Sequence, residues 1–599
     1  MTVFLHAVSL IKKFKNSIYF YGSRKIFYIV PFLINNLRDA YSYLKISKDY
    51  KKWIKLNETF DKNKINDEID KFKFKPKLSI VIPVYNIQPK WLRLCIKSIM
   101  NQFYDNWELC LYDDGSTNLE TLEYLKILKN KKNNKIKISF GQSNKHICYA
   151  SNEAIKMATG DYVAFLDNDD KLTKDALFEI VKLLNKNPSL DLIYSDEDKI
   201  DENEERSNPF FKPDFSLDLL LSVNYICHFL VIRKDLGDKV KWFRQGFEGA
   251  QDFDLILRCL DHNPKIAHIS KILYHWRMLE TSTSRSIKTK DYAHLSGINA
   301  LKDYLERSGI KGEVKRGYKE TNYRVKYRIN KKYLVSIIIP FKDKVCLLRN
   351  LIKSILEKST YENYEILIIN NNSRKKQTYQ FLDKIKLNSR VEILNYNHAF
   401  NYSKLNNFAA KKARGKYLIF LNNDTLIISP DWIEELLRNA QRREVGAVGP
   451  MLLFKDGSIQ HAGVILGIRG FAGHIFRKQY SFNTYYKLAE FQRNYLALTA
   501  ACLMISKDKF FEVDGFNEDF HICGGDVDLC LSLHEKHYLN VYNPKVKLFH
   551  FESKTREKMP PKNDVLISKK RYKYYLEKGD PFYNKNLSTK KEIPNIKFK

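Results

Sequence analysis

Carboxylates close several apolar runs of this chain, and each group implies a different piece of chemistry. In FLDNDD at 165–170 an apolar run ends in Asp167, Asn168, Asp169 and Asp170. Carboxylates this close repel one another unless a cation or a set of donors offsets them, and a divalent ion is the simplest partner. Mg²⁺ or Mn²⁺ held by one or two carboxylates keeps positions open for phosphate oxygens, so the cluster predicts a diphosphate substrate. In DDGS at 113–116, Asp113 and Asp114 suit either a plain turn or a nucleoside pocket in which they accept from base N–H and ribose hydroxyl groups. Tyr85, beside Pro83 in LSIVIPVYN, is placed to stack on a base or to fill core. Asp252 in GAQDFDL precedes a helix-like apolar run, where a helix N-terminus would orient a carboxylate acting as a base, or use it only as a cap. His275, in ILYHWR, closes a further apolar run and is a candidate metal or diphosphate ligand.

Each group occurs twice, in the same order. LSIVIP at 78–83 returns as VSIIIP at 335–340, so that Pro340 matches Pro83, and NWELCLYDDGS at 106–116 returns as NYEILIINNNS at 363–373, with Asn370 and Asn371 in place of Asp113 and Asp114. GDYVAFLDNDD at 160–170 returns as GKYLIFLNNDT at 415–425, pairing Asn422 with Asp167 and Asp424 with Asp169. Asp526 in GGDVDL matches Asp252, and His550 in LFHFES matches His275. A solvated acidic turn explains one DXD as well as a metal site does, but its recurrence at a matched place argues for a site. The offset between the halves grows from 255 to 274 after the DXD region, which marks an insertion in the second half around 456–493.

The elements that must position these groups follow from the pattern. Both halves open on Ile/Val-rich apolar runs and alternate them with helical stretches, the habit of a parallel sheet covered on both faces, whose ligands sit beyond the carboxyl ends of the strands. The expected architecture is α/β: two duplicated domains at 77–310 and 334–560, a Lys/Arg-rich linker at 311–333, a basic helical segment at 1–76 and a basic tail at 561–599.

Both halves resemble family 2 glycosyltransferases of the GT-A fold, in particular bacterial tandem enzymes of surface polysaccharide, O-antigen or capsule synthesis. The resemblance rests on LSIVIPVYN, DDGS, FLDNDD, YSDEDKID with PFFKPDFS, and GAQDFDL in the first half. In the second it rests on HAFNYSKLNNFAA, FLNNDT, IQHAGVILG, TAACLM and GGDVDLCL. It implies an inverting transfer from a UDP- or dTDP-linked sugar to a lipid-linked or oligosaccharide acceptor, with Mn²⁺ or Mg²⁺. In that scheme Asp114 holds the base, Asp167 the ribose and metal, Asp169 and His275 the metal, and Asp252 is the general base. Asn371, Asn422, Asp424, His550 and Asp526 take these places in the second half. Where asparagines replace carboxylates the second site loses charge, so it leans on Asp424 and His550 or prefers another donor. GIRGFAG at 467–473 is expected as a loop near the acceptor, and YSDEDKID is assigned no catalytic role.

Composition sets the surroundings. A formal charge of +33 draws the chain toward polyanions. Nucleic acid is the least favoured partner, because no RNP, KH or zinc motif is present and repeated acid clusters repel a phosphate backbone. Nine cysteines without CxxC spacing fit a reducing compartment. The longest apolar run near the N-terminus, IFYIVPFLI, has nine residues and a proline, too short for a span of about 20. No export signal is read in the first residues, and a cytoplasmic place is expected. The basic, aromatic N-terminal segment either lies on anionic lipid at the inner membrane face or caps the first domain. Both basic ends are expected as surface-seeking arms.

Overall fold

The computed structural model describes residues 48–131, 133–279, 287–317, 322–551 and 561–598. Most of the N-terminal segment proposed for lipid contact, residues 1–47, lies outside them. No described helix is long and apolar enough to cross a membrane.

The first half forms one nine-stranded sheet. Its strands are β1 Leu78–Val84, β2 Trp107–Asp113, β3 Ile136–Phe140, β4 Tyr162–Phe165, β5 Lys171–Leu172, β6 Leu192–Ile200, β7 Arg206–Phe210, β8 Val231–Arg233 and β9 Ile266–Arg277. A two-stranded ribbon, β10 Gly312–Arg316 and β11 Tyr323–Tyr327, follows where a linker was expected. The second half supplies β12 Val335–Phe341, β13 Tyr364–Asn370, β14 Val391–Asn395, β15 Tyr417–Leu421, β16 Thr425–Ile427, β17 Val445–Leu453, β18 Ile459–His461, β19 Val464–Leu466, β20 Ala472–His474, β21 Arg493–Tyr495, β22 Cys502–Ser506 and β23 Leu539–His550.

The first sheet runs 3-2-1-4-8-6-9-5 with β7 on β6, and the second runs 14-13-12-15-22-17-23-16 with β18 on β17. These are the same path. Only β19 to β21 lack a counterpart, so the predicted insertion falls between β18 and β22. In each sheet the leading strands are parallel, while β8 and β22 enter antiparallel to their neighbours. Every residue of β2, β12 and β13 is buried, because helices cover both faces.

A buried polar clasp fixes the first strands in both halves. Ser79 Oγ donates to Glu108 at 2.7 Å and accepts from Gly160 N; Ser336 Oγ donates to Glu365 at 2.6 Å and accepts from Gly415 N. The approach needs glycine, since a Cβ at Gly160 would meet Lys77 O at 2.5 Å and one at Gly415 would meet Ser336 N at 2.6 Å. Lys77 and Lys137 pair with Glu108, at 2.6 and 2.9 Å. Burial alone would raise this carboxyl, but the lysines and hydrogen bonds hold it down at about 2.

The halves pack on each other through polar and aromatic contacts. Asp218 is fully buried and accepts from Arg442 Nη1 at 2.6 Å, Gln492 Nε2 at 2.7 Å and Asn494 Nδ2 at 2.7 Å, all from the second half. Tyr486 stacks on Phe210 with centroids 4.1 Å apart, and Tyr485 donates to Pro209 O at 2.8 Å. The C-terminal residues are not a free arm as expected: the helix Lys562–Lys578 buries Asp564, Ser568 and Tyr572. Beyond it Asn584 donates to both oxygens of Asp196, at 2.9 Å each, and to Lys212 O in the first half.

Candidate active sites

In the first half the polar groups gather at the carboxyl ends of β1, β2 and β4. Asp113, 1% exposed at the end of β2, accepts from Ser116 N at 3.1 Å. Asp114 accepts from Lys145 N through both oxygens, at 3.1 and 3.0 Å. Burial raises the Asp114 carboxyl above the usual range, against the backbone donors. The same carboxylate that was expected to face a base therefore also fixes the loop after β3. Pro83 O accepts from Asn168 Nδ2 at 2.9 Å, which ties the first strand to the DXD turn, and Tyr85 presents its ring to solvent, 46% exposed.

The DXD turn divides into an open and a closed part. The Asp167 side chain is 49% exposed, whereas Asp170 is fully buried and accepts from Tyr274 OH at 2.5 Å and Arg277 N at 2.6 Å. Burial, reinforced by Asp167, pushes Asp169 up to about 6; Asp170 is raised well above its ordinary value by burial and by both neighbouring aspartates. A site that keeps carboxylates this reluctant to ionise suits a cation. Among the described residues, Asp167, Asp170 and His228 bring one ligand atom each within 4.8 Å of one another, a donor set that fits a divalent ion.

His228 was not foreseen. It stands just before β8, with Nε2 3.8 Å from Asp167 and Nδ1 3.4 Å from Glu197. Burial by itself would lower its pKa, but Glu197, Asp167 and Asp170 carry it up to about 9, so the ring gives up a proton when it ligates a cation. Glu197 is held at about 2 despite burial, chiefly by Lys212 Nζ at 2.8 Å and by His228. YSDEDKID, assigned no catalytic role from the sequence, supplies Glu197 beside His228 and Asp198 beside His275. The repeat could not flag His228: strand register places Ala501 at its position in the second half.

His275 pairs with Lys171 across β9 and β5, next to the DXD turn. Its Nδ1 is 2.6 Å from Asp198, which also accepts from Tyr50 OH and Arg206 Nε at 2.5 Å each. It stands outside the three-residue ligand group above. A histidine whose one nitrogen is fixed by a carboxylate has the arrangement typical of metal ligands.

Asp252 lies in the first turn of the helix Gln251–Leu260 and accepts from Asn224 Nδ2 at 2.7 Å. Burial raises its pKa, and the charges of His228 and Asp167 both act on it, so base candidate and DXD share one site. Asp254, two residues on in the same first turn, is taken up by Arg244 and by Arg258 at 2.9 Å, leaving Asp252 as the acid of the pair with no arginine partner.

The second half repeats this layout with fewer charges. Asn370 accepts from Ser373 N at 3.2 Å, as Asp113 does from Ser116, and donates to Asn395 at 3.0 Å. Asn371 reverses the polarity of Asp114: its amide donates to Tyr396 O and His398 O, at 3.0 and 2.9 Å. Pro340 closes the core of β12 in register with Ile369. Asn422 and Asp526 are linked through Tyr402 and Ala500: Tyr402 OH donates to Ala500 O at 3.1 Å and reaches Asn422 Oδ1 at 3.5 Å, while Ala500 N donates to Asp526 at 3.1 Å. His550 Nε2 is 3.3 Å from Asp424 Oδ1, and its Nδ1 is 3.2 Å from Gln460. Here the two expected metal ligands do come together. Beside Gln460, the buried His461 shares a 2.8 Å Nδ1 to Nδ1 contact with His474, so the inserted β19–β20 hairpin reaches the second site.

Comparison with known proteins agrees with this duplicated layout. The sequence matches Glycosyl transferase family 2 over residues 79–240 and 336–510, more than half of the chain. It is 38% identical over 544 residues to the O-antigen biosynthesis protein RfbC of Myxococcus xanthus, covering 90% of this chain and 42% of that protein. It is 40% identical over 530 residues to the uncharacterized protein y4gI of Sinorhizobium fredii (strain NBRC 101917 / NGR234), covering 86% and 58%. A chondroitin synthase of Escherichia coli is 33% identical over 238 residues, 39% of this chain and 34% of that one. The chain thus spans about half the length of the first two relatives. Among solved structures, GalNAc-T7 with UDP, GalNAc and Mn²⁺ aligns with a TM-score of 0.35 at 15% identity, covering 41% of this chain and 49% of that one. With the family's domain matched once in each sheet, the chain belongs to glycosyltransferase family 2.

Proposed function

We propose that both domains are inverting glycosyltransferases that move sugars from UDP- or dTDP-linked donors onto one growing cell-surface glycan, with a lipid-linked or oligosaccharide acceptor. The observation that carries this reading is that each half sets an aspartate in the first turn of the same helix beside the DXD end of the same strand: Asp252 with Asp167, and Asp526 with Asn422. The names of the relatives, O-antigen biosynthesis protein and chondroitin synthase, agree with a polysaccharide product.

Asp252 or Asp526 takes the proton of the acceptor hydroxyl as its oxygen bonds to the anomeric carbon, while the bond from that carbon to the diphosphate breaks and its electron pair leaves with the diphosphate. Attack opposite the leaving group inverts the anomeric configuration. Asp167, Asp169 and His275, with Asp170 and His228 beside them, would hold Mn²⁺ or Mg²⁺ in the first domain, and Asp424 and His550 in the second. The cation, when bound, offsets charge on the leaving diphosphate. Asp113, Asp114 and Tyr85, with Asn371 and Asn422 in the second domain, would hold the nucleoside. The chain would act in the cytoplasm, with peripheral contact at the inner face of the cytoplasmic membrane.

A second reading has a specific observation behind it. Asn422, Thr425 and Ala501 stand in the second half where Asp167, Asp170 and His228 stand in the first, so the second domain would bind glycan without transferring sugar. The full-length chain carrying Asp252→Asn or Asp526→Asn, given a panel of UDP- and dTDP-sugars with Mn²⁺ and a lipid-linked acceptor, separates the readings. Loss of a different product in each variant supports two active domains. An Asp526→Asn variant with every product intact would end that reading.

A further inference from the structure

The helix Lys562–Lys578 lies against the second site and grips the segment that carries its base. Asp564, in the first turn of this helix and 1% exposed, accepts from three consecutive backbone N–H groups. His521 N donates to Oδ1 at 3.0 Å, and Ile522 N and Cys523 N donate to Oδ2 at 2.9 Å each. These residues form the loop that leads into the helix Gly525–Glu535, whose first turn holds Asp526. A run of N–H groups converging on one carboxylate is a fixed anion cradle, and charge-assisted bonds of this kind are roughly twice as strong as neutral ones.

The same face of the C-terminal helix holds the body of the Asp526 helix. Arg571, two turns beyond Asp564, donates through Nε to Asp528 at 2.6 Å and through Nη1 and Nη2 to Glu535 at 2.5 and 2.9 Å. Between the two anchors Ser568 fits against Gly524, which has a φ of 91° and where a Cβ would meet Ser568 Oγ at 2.8 Å. The loop therefore takes its left-handed turn against this helix. In the first half an ionic tie between the equivalent helices uses other residues: Arg244 bridges Asp254 and Asp303, the latter on the helix Ile287–Arg307. The anchor on the loop itself is described only in the second half.

We propose that Asp564 and Arg571 are positioning residues of the second domain, setting the loop and helix that aim Asp526 at the acceptor hydroxyl. The inference rests on the reading of Asp526 as that domain's base. A base must lie within hydrogen-bond reach of the proton it removes, and a misplacement of about 1 Å costs on the order of 100-fold in rate. Asparagine at 564 keeps one acceptor oxygen but turns an amide N–H₂ toward backbone donors, so the loop loses its charged anchor without losing its packing.

The test uses the full-length chain, a lipid-linked acceptor and Mn²⁺, and reads acceptor-dependent release of nucleoside diphosphate from UDP-N-acetylglucosamine, UDP-galactose and dTDP-rhamnose. Asp526→Asn identifies the turnover that belongs to the second domain. Asp564→Asn is expected to lower kcat of that turnover at least tenfold with KM for the nucleotide sugar within about twofold, and to leave turnover sensitive to Asp252→Asn unchanged. Arg571→Met is expected to act in the same direction, and Asp564→Glu to restore part of the loss. Unchanged kcat in both Asp564→Asn and Arg571→Met, or equal loss of both domains' turnover, would overturn the proposal. If Asp526→Asn itself removes no turnover, it is the assignment of the base that fails.

Discussion

Replacing Asp252 by asparagine removes a base while altering almost nothing else. The carboxylate accepts one side-chain hydrogen bond, from Asn224 Nδ2 at 2.7 Å, and an asparagine oxygen can accept the same bond. The helix Gln251–Leu260 keeps its ionic anchor through Asp254, Arg244 and Arg258, so the backbone is expected to stay in place. General-base catalysis contributes about 10²- to 10⁴-fold, or roughly 3 to 5 kcal/mol of barrier. The first domain's kcat should fall by that factor with donor KM within about threefold, because the base touches the acceptor and not the nucleotide. Steady-state release of nucleoside diphosphate measures both constants, and dissociation of the donor, followed by calorimetry, checks that the pocket is intact. The wild-type profile carries a second signature. Burial raises the Asp252 pKa above 3.8, so the base is protonated over a wider acid range and the first domain's kcat/KM should begin to fall at a pH above that of an ordinary aspartate. A variant that retains more than a tenth of wild-type kcat, or an acid limb at the ordinary aspartate position, would refute the assignment of Asp252 as base.

Three further outcomes are expected. Glu108, held at about 2 against a reference of 4.5, contributes roughly 3 kcal/mol that is fully present above pH 4.5 and is lost as pH falls through 2; Glu108→Gln should lose that increment at pH 7 and flatten the acid dependence of the denaturant midpoint. Asp218→Asn leaves the buried Arg442 guanidinium with only the more exposed Glu444, 2.9 Å from Nε, as its counter-charge, which costs at most about 3–5 kcal/mol; urea unfolding should then show the two halves separating before either melts, and a single unshifted transition would count against the buried contact. His228→Gln should weaken Mn²⁺ binding at the first site by about tenfold, roughly 1.4 kcal/mol, read by paramagnetic resonance of free Mn²⁺, while leaving the second site's affinity as it was.

The α/β class and its duplication were legible because each motif's second copy served as a control. FLDNDD alone reads as an acidic turn; set beside FLNNDT at the same place after the same strand, it reads as a site. The same comparison hid what is not duplicated. His228 has Ala501 at its place in the second half, and Glu197 lies in a segment to which the sequence assigned no catalytic role, so neither was singled out until β6, β8 and β9 brought His228 beside Asp167 and Glu197 beside His228.

Periodicity and spacing by themselves determined the α/β class, the two domains, the insertion, and the aspartates and histidines at the strand ends, since these depend on residues near in sequence and on an internal repeat. Long-range packing decided the rest. It made Asp170 a buried acceptor for Tyr274 and Arg277, gave Asp198 to His275, and joined His550 to Asp424. It also turned a basic C-terminal stretch into the helix that holds the Asp526 loop. Those partners are set by which strands and helices meet, 77 residues apart for Asp198 and His275 and 126 for Asp424 and His550. The burial that shifts their charges exists only once the sheets are covered.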